Sequence, residues 1–84
     1  MKLTYHTDAG HGWVEVPISV IESLGIGSSI SPYSYMNKNS AFLEEDCDAP
    51  VAIKRLKEMG YTVELVESYK ENSPIRNYRR FSWL

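Results

Sequence analysis

The sequence predicts an α+β domain in which two short helices cover one face of an antiparallel sheet, in the element order ββαββαββ. Six short segments alternate apolar and polar residues, two others repeat apolar residues at helical spacing, and turn residues separate them. Hairpins interrupted by helices favour antiparallel pairing with the helices on one side. With 84 residues, the chain is predicted to be a single small domain, 1–84.

The first half is predicted to form a hairpin, a helix and a second hairpin. Pro17 suits a first helical position, Gly25 suits a left-handed helix end, and residues 37–40 have turn chemistry. The predicted elements are strands Lys2–His6 and Gly12–Val16, helix Pro17–Leu24, and strands Ile30–Met36 and Ala41–Glu45.

The second half is predicted to form a helix and two strands. Asp48 is expected to cap the helix Pro50–Met59, and Gly60 to end it. The apolar stripe expected to be buried is Ile53, Leu56 and Met59. The strands are predicted over Tyr61–Tyr69, with Tyr61, Val63 and Leu65 inward, and over Tyr78–Trp83, with Arg79, Phe81 and Trp83 on one face.

Composition and charge exclude several classes of protein. The chain has no apolar run of the ~20 residues that cross a bilayer and no signal-peptide core, so we expect a cytoplasmic protein. The single cysteine, Cys47, excludes an intrachain disulfide, and the carboxylates around it disfavour a thiolate nucleophile. Residues 1–52 carry seven acidic and two basic side chains, whereas residues 53–84 carry seven basic and four acidic ones. This polarity suits docking onto a charged macromolecule, and a net charge of −2 disfavours general DNA binding without excluding it.

The segment 6–13 is the first candidate contact surface, because it holds both histidines, an aspartate and a tryptophan between two predicted strands. His6, Asp8 and His11 have the atoms to bind a divalent metal ion, but no fourth ligand is apparent. We therefore expect no metal and no cofactor, and a structured turn in which Asp8 accepts backbone N–H bonds and Trp13 packs. A metal-dependent enzyme using these three residues is the third-ranked hypothesis.

The C-terminal run 73–83 is the second candidate contact surface, because it interleaves three arginines with three aromatic side chains. Such residues stack on nucleic-acid bases, and they are also enriched at the energetic centres of protein interfaces. The residues expected to bind a partner are, from both segments, His6, Asp8, His11, Trp13, Arg76, Tyr78, Arg79 and Arg80.

Known catalytic motifs are not found. No serine lies in a Gly-x-Ser-x-Gly elbow, and neither a phosphate-binding Walker loop nor a dinucleotide fingerprint is present. The sequence therefore favours a binding protein over an enzyme.

Two local patterns resemble known proteins. Trp13-Val14-Glu15-Val16-Pro17, followed by a short helix ending Leu24-Gly25-Ile26 and two strands, makes residues 12–46 resemble the swapped-hairpin domains of AbrB and MazE-type DNA binders. This resemblance implies a DNA-binding regulator or antitoxin, although a basic residue before the strand and a Gly-Asp after the helix are missing.

A second resemblance covers most of the chain. The blocks 6–13, 43–49 and 73–76 resemble small accessory proteins encoded by phages, prophages and plasmids, a class that includes inhibitors of host defence systems. The resemblance implies a mobile-element factor that docks on a host protein or ribonucleoprotein and blocks it. The resemblance implies no catalytic residue. The sequence does not decide whether the chain is a monomer or a homodimer.

Overall fold

A computed structural model describes residues 1–83, which form six strands and two α-helices around one sheet. Two short 3₁₀ turns, Gly27–Ser29 and Pro74–Asn77, complete the regular structure. The fold class is α+β, and the order of strands and α-helices is the predicted one. The elements are β1 Lys2–Thr7, β2 Gly12–Pro17, α1 Ile18–Leu24, β3 Tyr35–Met36, β4 Ser40–Glu44, α2 Ala49–Glu58, β5 Glu64–Tyr69 and β6 Arg79–Arg80.

The sheet is mixed, so the prediction of a purely antiparallel sheet is wrong. Its strand order is β5-β1-β2-β4-β3-β6, and only the β1–β5 pair is parallel. Because β4 and β1 are both antiparallel to β2, strands β4 and β5 run in the same direction. Helix α2 is the crossover that this parallel connection needs. Strand β5 therefore pairs with β1 and does not form a hairpin with β6.

Both helices lie on the same face of the sheet, as predicted, and enclose the main core between them. Helix α1 contributes Ile21 and Leu24, and α2 contributes Ala49, Ala52 and Leu56. The sheet and its connections contribute Leu3, Val14, Val16, Ile26, Ile30, Met36, Ala41, Leu43 and Phe81. The alternation predicted for β1 and β2 is confirmed, because Leu3, Val14 and Val16 all point into this core.

The helices end where glycine permits a positive φ, but α2 buries a different stripe from the predicted one. Gly25 has φ 69° and Gly60 has φ 92°, values that favour residues without a Cβ atom. Of the predicted stripe only Leu56 is buried, whereas Ile53 is half-buried and Met59 is 47 % exposed. The alanine flank of α2 faces the sheet instead, and small side chains let the helix approach it closely.

Asp48 does not cap α2 with its side chain, contrary to the prediction. Its buried carboxyl group accepts hydrogen bonds from the backbone N–H and hydroxyl of Ser31 and from the hydroxyl of Ser34. The Ser34 hydroxyl in turn accepts the backbone N–H of Glu44. Asp48 therefore connects the start of α2, the turn 31–34 and the end of β4.

Strands β3, β5 and β6 differ from the predicted strands in length or in burial. Strand β3 has two residues because residues 31–34 form the turn held by Asp48, and Pro32 has no N–H to donate. Strand β6 has two residues, although Phe81 is buried as expected. Strand β5 is an exposed edge strand, with Leu65 42 % exposed, so its predicted half-burial is wrong.

The second face of the sheet is covered by the C-terminal segment 70–78, which we call the strap. Ile75, in its 3₁₀ turn, packs on Trp13 of β2 and Phe42 of β4 to form a separate small core. The partly buried rings of Tyr35 and Tyr78 extend this cluster. The strap thus brings Arg76 to the face of the sheet that the helices leave free. None of the helices in residues 1–83 has the length and apolar character needed to span a bilayer.

The Leu56 side chain is fully buried between α2 and the sheet, so Leu56→Ala should leave a cavity. We expect it to lower the free energy of unfolding by about 2–5 kcal/mol in denaturant melts. The control is Lys57→Ala, which changes an exposed neighbour on the same helix. A loss under about 1 kcal/mol for Leu56→Ala would contradict its placement in the core.

Asp48→Ala should destabilise the fold because it leaves the buried Ser34 hydroxyl and the Ser31 N–H without their acceptor. We expect a loss of about 1–3 kcal/mol in the same melts. Asp46→Ala, which removes an exposed carboxylate two residues away, is the matched control. Equal melts for the two variants would show that the Asp48 contacts contribute no stability.

Candidate functional site

The tip of the β1–β2 hairpin is organised by Asp8, as the sequence predicts. The Asp8 Oδ1 atom accepts the backbone N–H groups of Gly10 and His11, each at 2.8 Å. The Asp8 N–H donates to the His11 carbonyl at 2.9 Å. Because three hydrogen bonds fix this short loop, its side chains are held in defined positions.

An ion pair joins this hairpin tip to the strap. Arg76 donates to Asp8 through Nε at 2.8 Å and through a terminal nitrogen at 3.3 Å, across 68 positions of sequence. The Asp8 side chain is only 5 % exposed, whereas that of Arg76 is 46 % exposed. The Arg76 hydrogen bonds, followed by the two backbone N–H groups, hold the pKa of Asp8 well below its usual range. Asp8 in turn raises the pKa of Arg76.

Two arginines lie on two aromatic rings beside this ion pair. The Arg76 guanidinium lies 5.2 Å from the centre of the Trp13 ring, and the Arg80 guanidinium lies 4.7 Å from that of Tyr35. The Trp13 and Tyr35 rings meet edge to face at 6.1 Å. These are the ranges of cation–π and aromatic attraction.

These four residues and Tyr33 form what we call the Arg-aromatic surface. Tyr33 is 66 % exposed, and His11, 6.1 Å from the Trp13 ring, lies at the margin together with Glu44. Together the seven side chains line a hollow of about 330 Å³. Trp13 is buried at its base, and the exposed side chains of the hollow are those of His11, Tyr33, Arg76 and Arg80.

The structure brings most of the two predicted contact segments together. His11, Trp13, Arg76 and Arg80 line the Arg-aromatic surface, and Asp8 positions Arg76 from the side. Arg79 does not join them. Its partner in β3 is Met36, whose side chain lies in the main core, whereas Arg80 faces Tyr35. Arg79 therefore points to the helix side of the sheet and Arg80 to the strap side.

His6 and Tyr78 line a different, smaller cleft of about 200 Å³ on the strap side. His6 Nε2 lies 2.8 Å from a carboxylate oxygen of Glu15, whose other oxygen accepts the Ser40 hydroxyl at 2.8 Å. The His6 ring meets Phe42 edge-on with the ring centres 5.7 Å apart, and the Tyr78 ring centre lies 5.0 Å from that of Phe42.

The structure does not bring His6, Asp8 and His11 together as the third-ranked hypothesis, a metal-dependent enzyme, requires. His6 is paired with Glu15, Asp8 with Arg76, and His11 lies against Trp13. Within residues 1–83 there is no group of three or more His, Cys, Asp or Glu side chains that could hold a metal ion. An enzyme that uses His6, Asp8 and His11 around one ion therefore has no support in the geometry.

Sequence reasoning missed Tyr33, Tyr35 and Glu44. Finding them from the sequence would have required knowing that β3 pairs with β6, because this pairing sets Tyr35 beside Arg80. The alternation that assigned Arg79, Phe81 and Trp83 to one face already placed Arg80 on the other face.

Two further ionisable groups are perturbed away from this surface. A hydrogen bond to Glu45 raises the pKa of Tyr5 to about 12. Partial desolvation, followed by Glu44 and Asp48, raises the pKa of the Cys47 thiol. The latter agrees with the expectation that the acidic segment disfavours a Cys47 thiolate.

Comparison with protein-family models, curated proteins and solved structures finds no match to this chain.

The Asp8–Arg76 pair predicts a definite pH dependence. Because folding lowers the pKa of Asp8, its contribution to stability is complete above the ordinary carboxyl pKa near 4 and is lost as pH falls through the lowered value. We expect the Asp8 carboxyl to titrate below the ordinary range of aspartate when followed by carbon NMR. Arg76→Gln should move the Asp8 pKa upward, whereas Lys70→Gln should not. An Asp8 pKa in the ordinary aspartate range, near 4, would contradict the pairing.

Proposed function

We propose that this chain is a non-catalytic binding protein that docks on a partner protein through the Arg-aromatic surface. The observation that carries the proposal is the convergence of the hairpin tip and the strap, fixed by the two hydrogen bonds between Arg76 and Asp8. Two segments 68 positions apart contribute arginine and aromatic side chains to one hollow. Tyrosine, tryptophan and arginine are the residue types that dominate binding energy at protein interfaces.

The surface is organised before any partner arrives, which favours affinity. Arg76 is held by Asp8 and Trp13, and Arg80 is held by the Tyr35 ring and by a hydrogen bond to the Pro32 carbonyl at 3.2 Å. Immobilising a long side chain at an interface costs about 0.5–1.5 kcal/mol. Arginines that are already positioned lose less of this freedom on binding.

The charge around the surface favours a protein over a nucleic acid. Arg76 and Arg80 are accompanied by Asp8 and Glu44, so the two cations are balanced by two carboxylates. Nucleic-acid binding without base readout depends on an excess of cations that neutralise phosphates. A mixed-charge aromatic hollow is better suited to a protein surface with its own acidic and apolar groups.

The proposed partner is a host protein or ribonucleoprotein in the bacterial cytoplasm that is blocked by docking. This part of the proposal is supported by the resemblance of residues 6–13, 43–49 and 73–76 to mobile-element accessory proteins. The alternative proposal, an AbrB or MazE-like DNA-binding regulator, is retained as an outcome of the experiment.

Capture from host lysate with variants of neighbouring residues tests the proposal. Arg80→Ala and Tyr33→Ala should each weaken capture, because truncating an interface arginine or tyrosine costs about 2 kcal/mol, or about thirtyfold in affinity. Arg79→Ala is the matched control, since it removes the same charge one residue away on the opposite face of β6. Tyr33→Ala separates binding from folding because its ring is exposed.

Recovered protein and nucleic acid should both be identified. Equal losses for Arg79→Ala and Arg80→Ala would contradict a localised Arg-aromatic contact. Sequence-selective duplex binding that is sub-micromolar at about 0.2 M salt and weakened by Arg80→Ala would replace the proposal with the DNA-binding regulator.

A further inference from the structure

The outer edge of β5 carries unpaired backbone groups. Glu64 and Lys70 donate their N–H groups to the carbonyls of Met1 and Thr7, so the even-numbered residues of β5 face β1. In a parallel ladder the alternate residues face the other way. The N–H and C=O groups of Leu65, Glu67 and Tyr69 therefore point outward, where no strand of residues 1–83 pairs with them.

Apolar side chains accompany this open edge on both faces. Leu65 is 42 % exposed, Val66 47 % and Tyr69 59 %. The strand has six residues and contains no proline or lysine, two residues with which proteins often discourage pairing at an edge. Its charged residues are Glu64 and Glu67. The other edge of the sheet, β6, has only two residues, and both are arginines.

We propose that a second copy of this chain pairs with β5 in antiparallel register, with Val66 facing Val66 across a two-fold axis. The resulting dimer has one continuous twelve-stranded sheet. It goes beyond the proposed function, because β5 and β6 lie at opposite ends of the strand order and the Arg-aromatic surface stays free.

Backbone geometry restricts the register, and side-chain chemistry disfavours one alternative to it. The outward residues of one copy must face outward residues of the other. Centring the pair on Val66 sets Leu65 against Glu67, Glu64 against Ser68 and Val63 against Tyr69 of the second copy. Centring it on Glu67 instead sets Glu67 directly against its own copy, which is unfavourable.

Charge and apolar contacts support the Val66 register. Glu64 and Lys70 of the second copy are diagonal neighbours on one face, at a spacing of about 7–8 Å that long side chains span. The two Val66 side chains occupy a non-hydrogen-bonded pair, the closer type of cross-strand contact. The register sets no like charges directly opposite, and the two Glu67 side chains are diagonal neighbours on the other face.

Sedimentation over a concentration series up to about 1 mM tests the dimer. We expect a monomer–dimer equilibrium, because six residues a side are fewer than the roughly 20–30 of a stable interface. Val66→Lys, which sets two cations face to face, should weaken dimerisation about tenfold. Tyr33→Lys, an exposed change on the Arg-aromatic surface, should leave it unchanged. A wild-type chain that stays monomeric over the whole series overturns the proposal.

A cysteine trap tests the register. In a Cys47→Ser background, Val66→Cys should oxidise to a covalent dimer, because Cα atoms of a non-hydrogen-bonded pair lie about 4.5 Å apart, within disulfide range. Glu67→Cys is the matched control and should cross-link more slowly. Faster cross-linking of Glu67→Cys than of Val66→Cys overturns the Val66 register.

Amide hydrogen exchange gives an independent readout at residue level. On dimerisation, the N–H groups of Leu65, Glu67 and Tyr69 should gain protection, whereas those of Val66 and Ser68, which face β1, should change little. If the N–H groups of β6 gained protection and those of β5 did not, the two copies would meet at the β6 edge of the sheet, and the proposal would be overturned.

Discussion

The buried carboxyl group of Asp48 is the contact on which the free face of this molecule depends. It holds Ser31 and Ser34, and so fixes the turn that precedes β3. Burying a carboxyl group is costly unless donors surround it, and here three donors do. The turn then supplies the Ser34 carbonyl that accepts Phe81 N–H at 2.9 Å and the Pro32 carbonyl that accepts Arg80. A residue on the helix side thus determines where Arg80 and Tyr35 meet on the strap side.

The two faces of the sheet have different physical roles. The helix face encloses the larger core, which is mostly aliphatic. The strap face carries the smaller aromatic cluster of Trp13, Phe42 and Ile75, around which polar and charged groups are arranged. This division explains how an 84-residue chain can hold the side chains of the Arg-aromatic surface in fixed positions. The rigid layer behind the sheet holds side chains that a small domain could not position on loops alone.

The sequence predicted the parts of the fold that depend on local chemistry. Glycines 25 and 60 marked the helix ends, alternation marked β1 and β2, and element order followed from both. The parallel β1–β5 pair was beyond this reasoning, because residues 64–69 alternate in the same way whether they pair with β1 or β6. Asp48 was misassigned for a similar reason. An aspartate before a helix is a common cap, and only the tertiary position of Ser31 and Ser34 reveals its other partners.

Several individual residues of the candidate site could be predicted from the sequence, but the way in which they come together could not. From their own neighbourhoods, Asp8 was predicted to be a turn residue, and Arg76 and Arg80 were predicted to be candidate contact residues. The pairing of Asp8 with Arg76 depends on the path of the strap, which no local pattern encodes. Arg79 shows the limit most clearly. Arg79 belongs to the C-terminal run in which arginines alternate with aromatic residues. The alternation of side chains along β6 nevertheless turns it to the face opposite Arg80.

The β1–β5 pairing has a consequence for the order in which the molecule folds. Strands β1, β2, β3 and β4 meet partners within the first 44 residues, whereas β5 pairs with a strand some 60 positions earlier, as Lys2 with Glu64. Closing a long loop costs more chain entropy than closing a short hairpin, and nonlocal contacts slow folding. Strand β5 should therefore join after β1 to β4 have paired, and during synthesis β1 lacks its second neighbour until residues 64–69 have left the ribosome. Until then the open edge of the growing sheet belongs to β1 rather than to β5.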